Sequence, residues 1–526
     1  MIGTICARSR SNGRSFVAVL VAEYMRRLDA RAEAASVRLS RTQITPSLPK
    51  TSRSAHSLFF LARTKISPVT VFVLLSLAFG SAITFVVPPL RGPDEIAHFL
   101  RIHSYARGEL LPPAEVDGRK GILVDRELYN QLYFFRAAGE WFAKERDQGV
   151  RYGQIMAAYR SYGGRIEEEF NEPTAFMPFA GTEGYNPVAY VPYIIAEGIG
   201  RLLRLEFPDR LLLIRLFGLI TFTAVAAYAI TVTPALKWAF ALIALLPVSL
   251  YNRSVLSADG AALCSALMIT ALCLRSAQKL GAGRLWERSL WMALCALSKQ
   301  PQIVFVLMEL MVSPLKKLPR TWRCIAIVAL PCLVLSPLWV LAVSGEMGAW
   351  RLQLEEQYPP EHFDPLWKLL YMWDHPWHFP LATWRALSGW GDRLWLELIG
   401  ILGWQDILLR HWIYLVLTVC LTLAPLQKLQ VDGATRARVV GITGLTVLGY
   451  VTLVYLIFFL TYTPIDIDHV RGVQGRYFVV ILPVAAIFIA AVINYEVPYG
   501  MSAVVASAGS MISGFATIEA LLRAHW

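Results

Sequence analysis

An acidic pair and a histidine stand at the edge of a long apolar run. Ile66–Leu90 holds 25 residues without a charge, and Arg91-Gly92-Pro93-Asp94-Glu95-Ile96-Ala97-His98 follows it. A carboxylate just outside a membrane span can take a proton from an acceptor hydroxyl. Asp94 and Glu95 are therefore the candidate catalytic residues. Gly92 as cap and Pro93 in the first turn predict a helix here. Helical spacing would put Asp94, His98 and Arg101 on roughly one face. A plainer reading stands beside this one, because acids in a first helical turn are stabilised by the helix dipole wherever they occur.

Basic residues supply the complementary chemistry. Arg471 and Arg476 frame Gly472-Val473-Gln474-Gly475 at the mouth of a later apolar run. Arginine offers a planar fork that matches phosphate. Lys299 lies inside an otherwise apolar stretch, where a charge is costly and commonly functional; a snorkelling or topology-setting lysine is the alternative. Asp259 sits at a span boundary, where helix capping explains it equally well. Trp404-Gln405-Asp406 closes an aromatic loop, and Asp406 is a candidate to face the same cavity as Asp94. Asp466 and Asp468 form a DxD pair of the kind that holds divalent ions, although solvated loop acids explain it more simply. His375 and His378, with His98 and His103, lack a spacing that would fix metal geometry.

These residues need a membrane scaffold to position them. The chain has 526 residues, 56% hydrophobic and 17% charged, where soluble domains carry about 25% charge. Leu216–Leu236, Cys324–Gly345, Val439–Ile465, Tyr477–Tyr495 and Val497–Ile518 are uncharged and long enough to cross about 30 Å of hydrocarbon. Shorter or interrupted runs lie at Asn186–Leu203, Trp238–Tyr251, Gly260–Leu274, Leu285–Pro314 and His411–Gln427. The expectation is an all-α polytopic bundle of about eleven or twelve spans.

Charge and loop length set the organisation. Residues 1–65 hold twelve Lys/Arg and three acids, which predicts a cytoplasmic, disordered tail by the positive-inside rule. The anionic inner leaflet accounts for this charge better than nucleic acid does. The membrane domain then spans residues 66–522. Two outer loops stand out, 88–185 and 345–405. The first carries fifteen acids and twelve bases and is long enough for amphipathic helices. The second holds eight of the sixteen tryptophans, and tryptophan favours the headgroup level. The seven cysteines form no CxxC site and no disulfide framework in the outer loops. One conflict remains in the topology. Arg275, Lys279, Arg284 and Arg288 favour the inside, yet alternate crossings put them outside if Leu285–Pro314 is one long span kinked at Pro301. That stretch is read as the single span; the alternative is a hairpin of two half-length segments turning at Lys299, with Trp238–Tyr251 failing to cross fully.

The Pro93-Asp94-Glu95-x-x-His98 box, the Tyr185-Asn186-Pro187 re-entry, Gly400–Asp406 and Gly472–Phe478 together resemble a family of bacterial membrane proteins classed as a domain of unknown function. That family in turn resembles the GT-C superfamily of polyprenyl-phosphate-dependent glycosyltransferases. The resemblance implies a multi-pass protein of the bacterial inner membrane with an extracytoplasmic active site. It implies a polyprenyl-phosphate-linked sugar as donor, and a glycan, lipid or protein as acceptor. In such enzymes an acid of the first outer loop is catalytic base or metal ligand, which falls on Asp94 with Glu95. Substrate-binding candidates are His98, Arg101, Tyr185, Asn186, Lys299, Trp404, Asp406, Gln474 and Arg476. A divalent metal, magnesium or manganese, stays open. Two other readings stand beside glycosyl transfer: a transporter or flippase of lipid-linked or anionic solutes, and a non-catalytic factor in envelope polysaccharide assembly.

Overall fold

Apolar runs become helices where their length allows, and break where proline or a buried charge intervenes. The computed structural model describes residues 67–144, 151–162, 173–278, 285–312, 318–343, 357–495 and 497–526. The basic tail 1–65, the acidic run Glu167–Glu169 and the first part of the second loop, with Trp350, lie outside the described residues.

Helix α1 (Pro68–Val86) leads into α2 (Glu95–Ala106). A small domain follows, with strands β1 (Ala114–Val116) and β2 (Arg119–Asp125), helices α3 (Arg126–Lys144) and α4 (Tyr152–Tyr162), and strand β3 (Thr174–Pro178). The strands form an antiparallel sheet in the order β1-β2-β3, with Gly121 opposite both Ala114 and Pro178. Helices were expected in this loop; the sheet was not. Next come α5 (Val191–Leu202), α6 (Phe207–Val232), α7 (Lys237–Ala244), α8 (Pro247–Ser254) and α9 (Asp259–Ala277). They are followed by α10 (Leu285–Ser298), a 3-10 segment Gln300–Met308, α11 (Glu309–Val312) and α12 (Leu318–Val343). The remainder is α13 (Pro365–Asp374), α14 (His378–Gly400), α15 (His411–Leu423), α16 (Gly433–Thr461), α17 (Leu482–Ile493) and α18 (Tyr499–His525).

This is an all-α polytopic membrane bundle. Among the described residues, seven helical segments are long and apolar enough to span: α1, α6, α9, most of α12, α16, Gly475–Ile493 and most of α18. The eleven or twelve expected from the sequence included apolar runs that fold as short or broken helices. Helix α9 is the most enclosed of the seven, and it packs on α6 and α10.

Three short runs depart from simple spans. The run Asn186–Leu203 does not cross. Tyr193 of α5 packs on Gly218 of α6, and Arg210 of α6 packs on Gly200 of α5. Helix α5 thus doubles back along α6, and its 12 residues reach only about 18 Å. Helices α7 and α8 do run end to end, as one broken passage. Leu236 meets Gln427 at one end, and Ser254 accepts from Thr84, near the end of α1, at the other. Pro247 forces the break. The freed carbonyls of Ala244 and Leu245 accept from Arg253 and Ser513, as backbone inside a membrane requires.

The third case overturns the reading of Leu285–Pro314 as one span. Arg288 pairs bidentately with Glu309, both contacts at 2.9 Å. A straight helix would hold these residues about 31 Å apart. The chain therefore reverses between them, at Lys299, which is extended at φ −149°, ψ 130°. Pro301 lacks the donor needed to continue α10 and instead sits at the start of the 3-10 segment that follows. Arg275 and Arg288 flank one short connection and share an end of the bundle whichever way the later stretch folds. The charge conflict is removed upstream, because α5 does not cross while α7 and α8 together do.

One buried ion pair joins the first helix to this scaffold. Glu95, fully buried, accepts from Arg215 Nε at 2.7 Å and Nη2 at 2.5 Å. It also accepts from the backbone N–H groups of Gly92 and Leu256. Arg215 donates onward to the carbonyls of Val87 and Pro88.

Two outcomes are expected. Glu95→Ala leaves a buried guanidinium unpaired and destabilises the protein by about 3–5 kcal/mol. Adding Arg215→Met should recover part of that loss in thermal unfolding of the detergent-solubilised protein. Arg288→Glu should lower the yield of folded protein, and Arg288→Glu with Glu309→Arg should restore it, which a continuous span would not allow.

Candidate functional site

The left-handed conformation of Asp94 decides which way its side chain faces. Asp94, not Gly92, is the residue preceding α2, at φ 53°, ψ 21°. Non-glycine residues rarely adopt this conformation, and such strain collects at functional sites. The Asp94 side chain makes no capping bond to the helix. It is 43% exposed and meets Arg476 Nη2 at 3.4 Å, across 382 residues of sequence.

Arg476 is placed by its glycine-containing loop. Gly475 N–H donates to Glu397 Oε2 of α14 at 2.7 Å. A Cβ on Gly475 would collide with the Leu394 carbonyl, so only glycine lets this loop approach α14 so closely. The Arg476 guanidinium sits 5.6 Å from the centre of the Tyr477 ring, and its buried Nε has no hydrogen-bond partner among the described residues.

Lys299 enters from the tip of the α10 hairpin. Its ammonium pairs with Asp259 Oδ1 and lies 4.8 Å from the Tyr477 ring centre. Asn252 of α8 donates to Asp259 Oδ2 at 3.0 Å. One ring is thus flanked by two cations, and each cation faces its own carboxylate.

His98 lies within the field of all four charges. Its Nδ1 is 2.6 Å from the Tyr190 hydroxyl, and its ring is 5.6 Å from that of Tyr185. Burial pushes His98 down from 6.5 to about 4, outweighing the opposite pull of Asp94 and Asp259. The imidazole is therefore neutral near pH 7. Burial also raises Tyr185 above its ordinary range, and the nearby Asp259 adds to this.

Several other residues singled out by sequence have partners of their own. Glu95, paired with Asp94 as catalytic in the sequence reading, has its oxygens engaged by Arg215 and two backbone N–H groups. Arg101 donates to the Leu110 carbonyl and stacks on Tyr105 and Phe179. Asn186 caps the turn Pro187–Tyr190 through Val188 N–H. Asp406 folds back on its own loop and accepts from Trp404 N–H, while the Trp404 side chain is exposed. Gln474 precedes the turn carrying Arg476, and its buried Oε1 has no partner among the described residues. Arg471 is exposed.

The sequence reading missed Asn252, which looks like any polar residue near a helix end. It weighed helix capping as an equal explanation of Asp259 and left that residue out of the site candidates. Tyr477 was visible within the Gly472–Phe478 box but had no role assigned.

Metal fits poorly here. Among the described residues, no group of three His, Cys, Asp or Glu side chains comes together. Asp94 and Asp259 each face a cation. Asp468 pairs with Arg385 and His469, and Asp466 with His362. His375 and His378 both pack on Tyr371.

A family described as "Predicted membrane protein (DUF2142)" matches residues 77–485, more than half of the chain. The chain belongs to DUF2142. The matched region of this DUF2142 chain includes Asp94, His98, Asn252, Asp259, Lys299, Arg476 and Tyr477. No curated protein and no solved structure matches it.

The His98 environment makes a pH prediction. Between about pH 6.5 and 4, unfolded His98 takes up a proton that the folded site resists. Stability should fall as pH drops through this window. His98→Asn should flatten that part of the slope in pH-dependent thermal unfolding, whatever its effect on stability at pH 7.

Proposed function

We propose that this protein transfers a sugar from a polyprenyl-phosphate-linked donor to an extracytoplasmic acceptor in bacterial cell-envelope glycan assembly. The observation that carries this reading is the Asp94–Arg476 juxtaposition beside Lys299, at the end of a membrane bundle. The GT-C resemblance of the sequence boxes points the same way. In this reading the site faces away from the cytoplasm of a plasma-membrane protein.

Asp94 is the general base. It is the more exposed of the two aspartates and only loosely held by Arg476. It takes the proton of the acceptor hydroxyl, whose oxygen attacks the anomeric carbon. The bond from that carbon to the phosphate oxygen breaks, and its electron pair leaves with the lipid phosphate. Arg476 and Lys299 stabilise the growing phosphate charge. Neutral His98 contributes hydrogen bonding and not charge. No metal is needed for this sequence of events.

A second reading is movement of a lipid-linked anion across the bilayer. The broken α7–α8 passage and the charged hairpin tip favour it, since interrupted helices mark many transport sites.

Asp94→Asn should abolish formation of a surface glycan in a strain lacking its own copy, with protein levels normal. The expected loss is 100-fold or more, as for removal of a general base, on the order of 10²–10⁴. An unchanged glycan with Asp94→Asn would sink the enzyme reading. Flipping of a lipid-linked sugar in proteoliposomes, unaffected by Asp94→Asn, would favour the second.

A further inference from the structure

Lys299 presents a physical problem that the proposed chemistry does not solve. It stands at a chain reversal inside the bundle, nearly buried, at the point where helical hydrogen bonding stops. A buried ammonium without a counter-ion is expensive and gives up its proton more readily. Its long, flexible stem does not fix the charge in place.

Asp259 answers both needs. It is the first residue of α9, where the helix dipole favours a carboxylate. Yet its oxygens do not cap the helix. Oδ1 meets Lys299 and Oδ2 accepts from Asn252. The Ser257 hydroxyl, not the carboxylate, accepts from Asp259 N–H. Asn252 belongs to α8, so Asp259 is held from an element other than its own. Its side chain is 15% exposed, against 43% for Asp94. The two aspartates are therefore unequal: one is committed, the other available.

We propose that Asp259, held by Asn252, is a positioning residue that fixes the Lys299 ammonium at the hairpin tip, where an anionic phosphate would be read. The phosphate part rests on the glycosyltransferase reading; the positioning part does not. Tyr477 completes the arrangement, its ring centre lying 4.8 Å from the Lys299 ammonium and 5.6 Å from the Arg476 guanidinium.

The test is amine labelling of the detergent-solubilised full chain, with Lys299 modification quantified by peptide mass spectrometry at mildly alkaline pH. Wild-type Lys299 should label slowly. Asp259→Asn should raise its rate about tenfold, and Asn252→Ala about threefold, with surface lysines unchanged as internal reference. Asp259→Glu should restore most of the protection. Equal Lys299 rates in wild type, Asp259→Asn and Asn252→Ala would overturn the positioning role. Should Asp259→Asn fail to fold, the Asn252→Ala rate alone decides. A second arm adds a polyprenyl phosphate in micelles as probe. Further protection of Lys299 in the wild type supports phosphate reading at this tip. Unmasking by Asp259→Asn without lipid protection would keep the positioning role and remove the lipid phosphate from it.

Discussion

The Glu95–Arg215 pair is the constraint on which the remaining geometry depends. It joins the end of α1, the Gly92 turn, the start of α2, the middle of the bundle through α6, and the Leu256 backbone. Buried pairs contribute little when compared with apolar replacements, but breaking one leaves a charge in a place that cannot solvate it. Here the pair has a directional consequence. Glu95 must turn inward to reach Arg215, so its neighbour must turn elsewhere. The left-handed backbone at Asp94 makes that turn possible. Two adjacent carboxylates therefore separate into one that holds the fold and one that faces Arg476.

The site itself is assembled from interruptions of regular structure. Lys299 stands where α10 stops, Asn252 lies beyond the Pro247 break, Arg476 heads a 3-10 turn, and Asp259 opens α9. A continuous transmembrane helix satisfies its own backbone and needs no polar partners. Each interruption frees backbone groups and gives polar side chains a reason to be present. Arg253 and Ser513 close the α7–α8 break in this way. The same breaks allow side chains from distant segments to meet at one end of the bundle.

Much of the architecture was legible in the sequence because hydrocarbon imposes length and composition directly. The long uncharged runs became helices, and the two long loops, 88–185 and 345–405, carry helices of their own. Run length alone failed where a segment was apolar but doubled back. Asn186–Leu203 and Leu285–Pro314 are apolar runs interrupted by charges, and the Tyr193–Gly218 packing and the Arg288–Glu309 pair reveal their direction. Residue type and place single out Asp94, His98, Lys299 and Arg476, and the fold brings these four near one another. The same logic also singled out Glu95, Arg101, Asn186 and Asp406, whose partners are structural. Residue type reports what chemistry a side chain can do, not which neighbour has already claimed it.

Sequence by itself determined that this chain is a helical membrane protein with acidic and basic residues concentrated at span edges and loop boxes. These are properties of local composition, fixed by the cost of placing charge in hydrocarbon. Tertiary structure alone decided that Asp94 faces Arg476 while Glu95 is committed to Arg215, that Lys299 reaches the site from a hairpin, and that Asp259 and Asn252 belong beside it. Those outcomes depend on pairings between segments far apart in the chain. Burial makes each pairing nearly obligatory once the helices pack, and nothing in the local sequence names the partner.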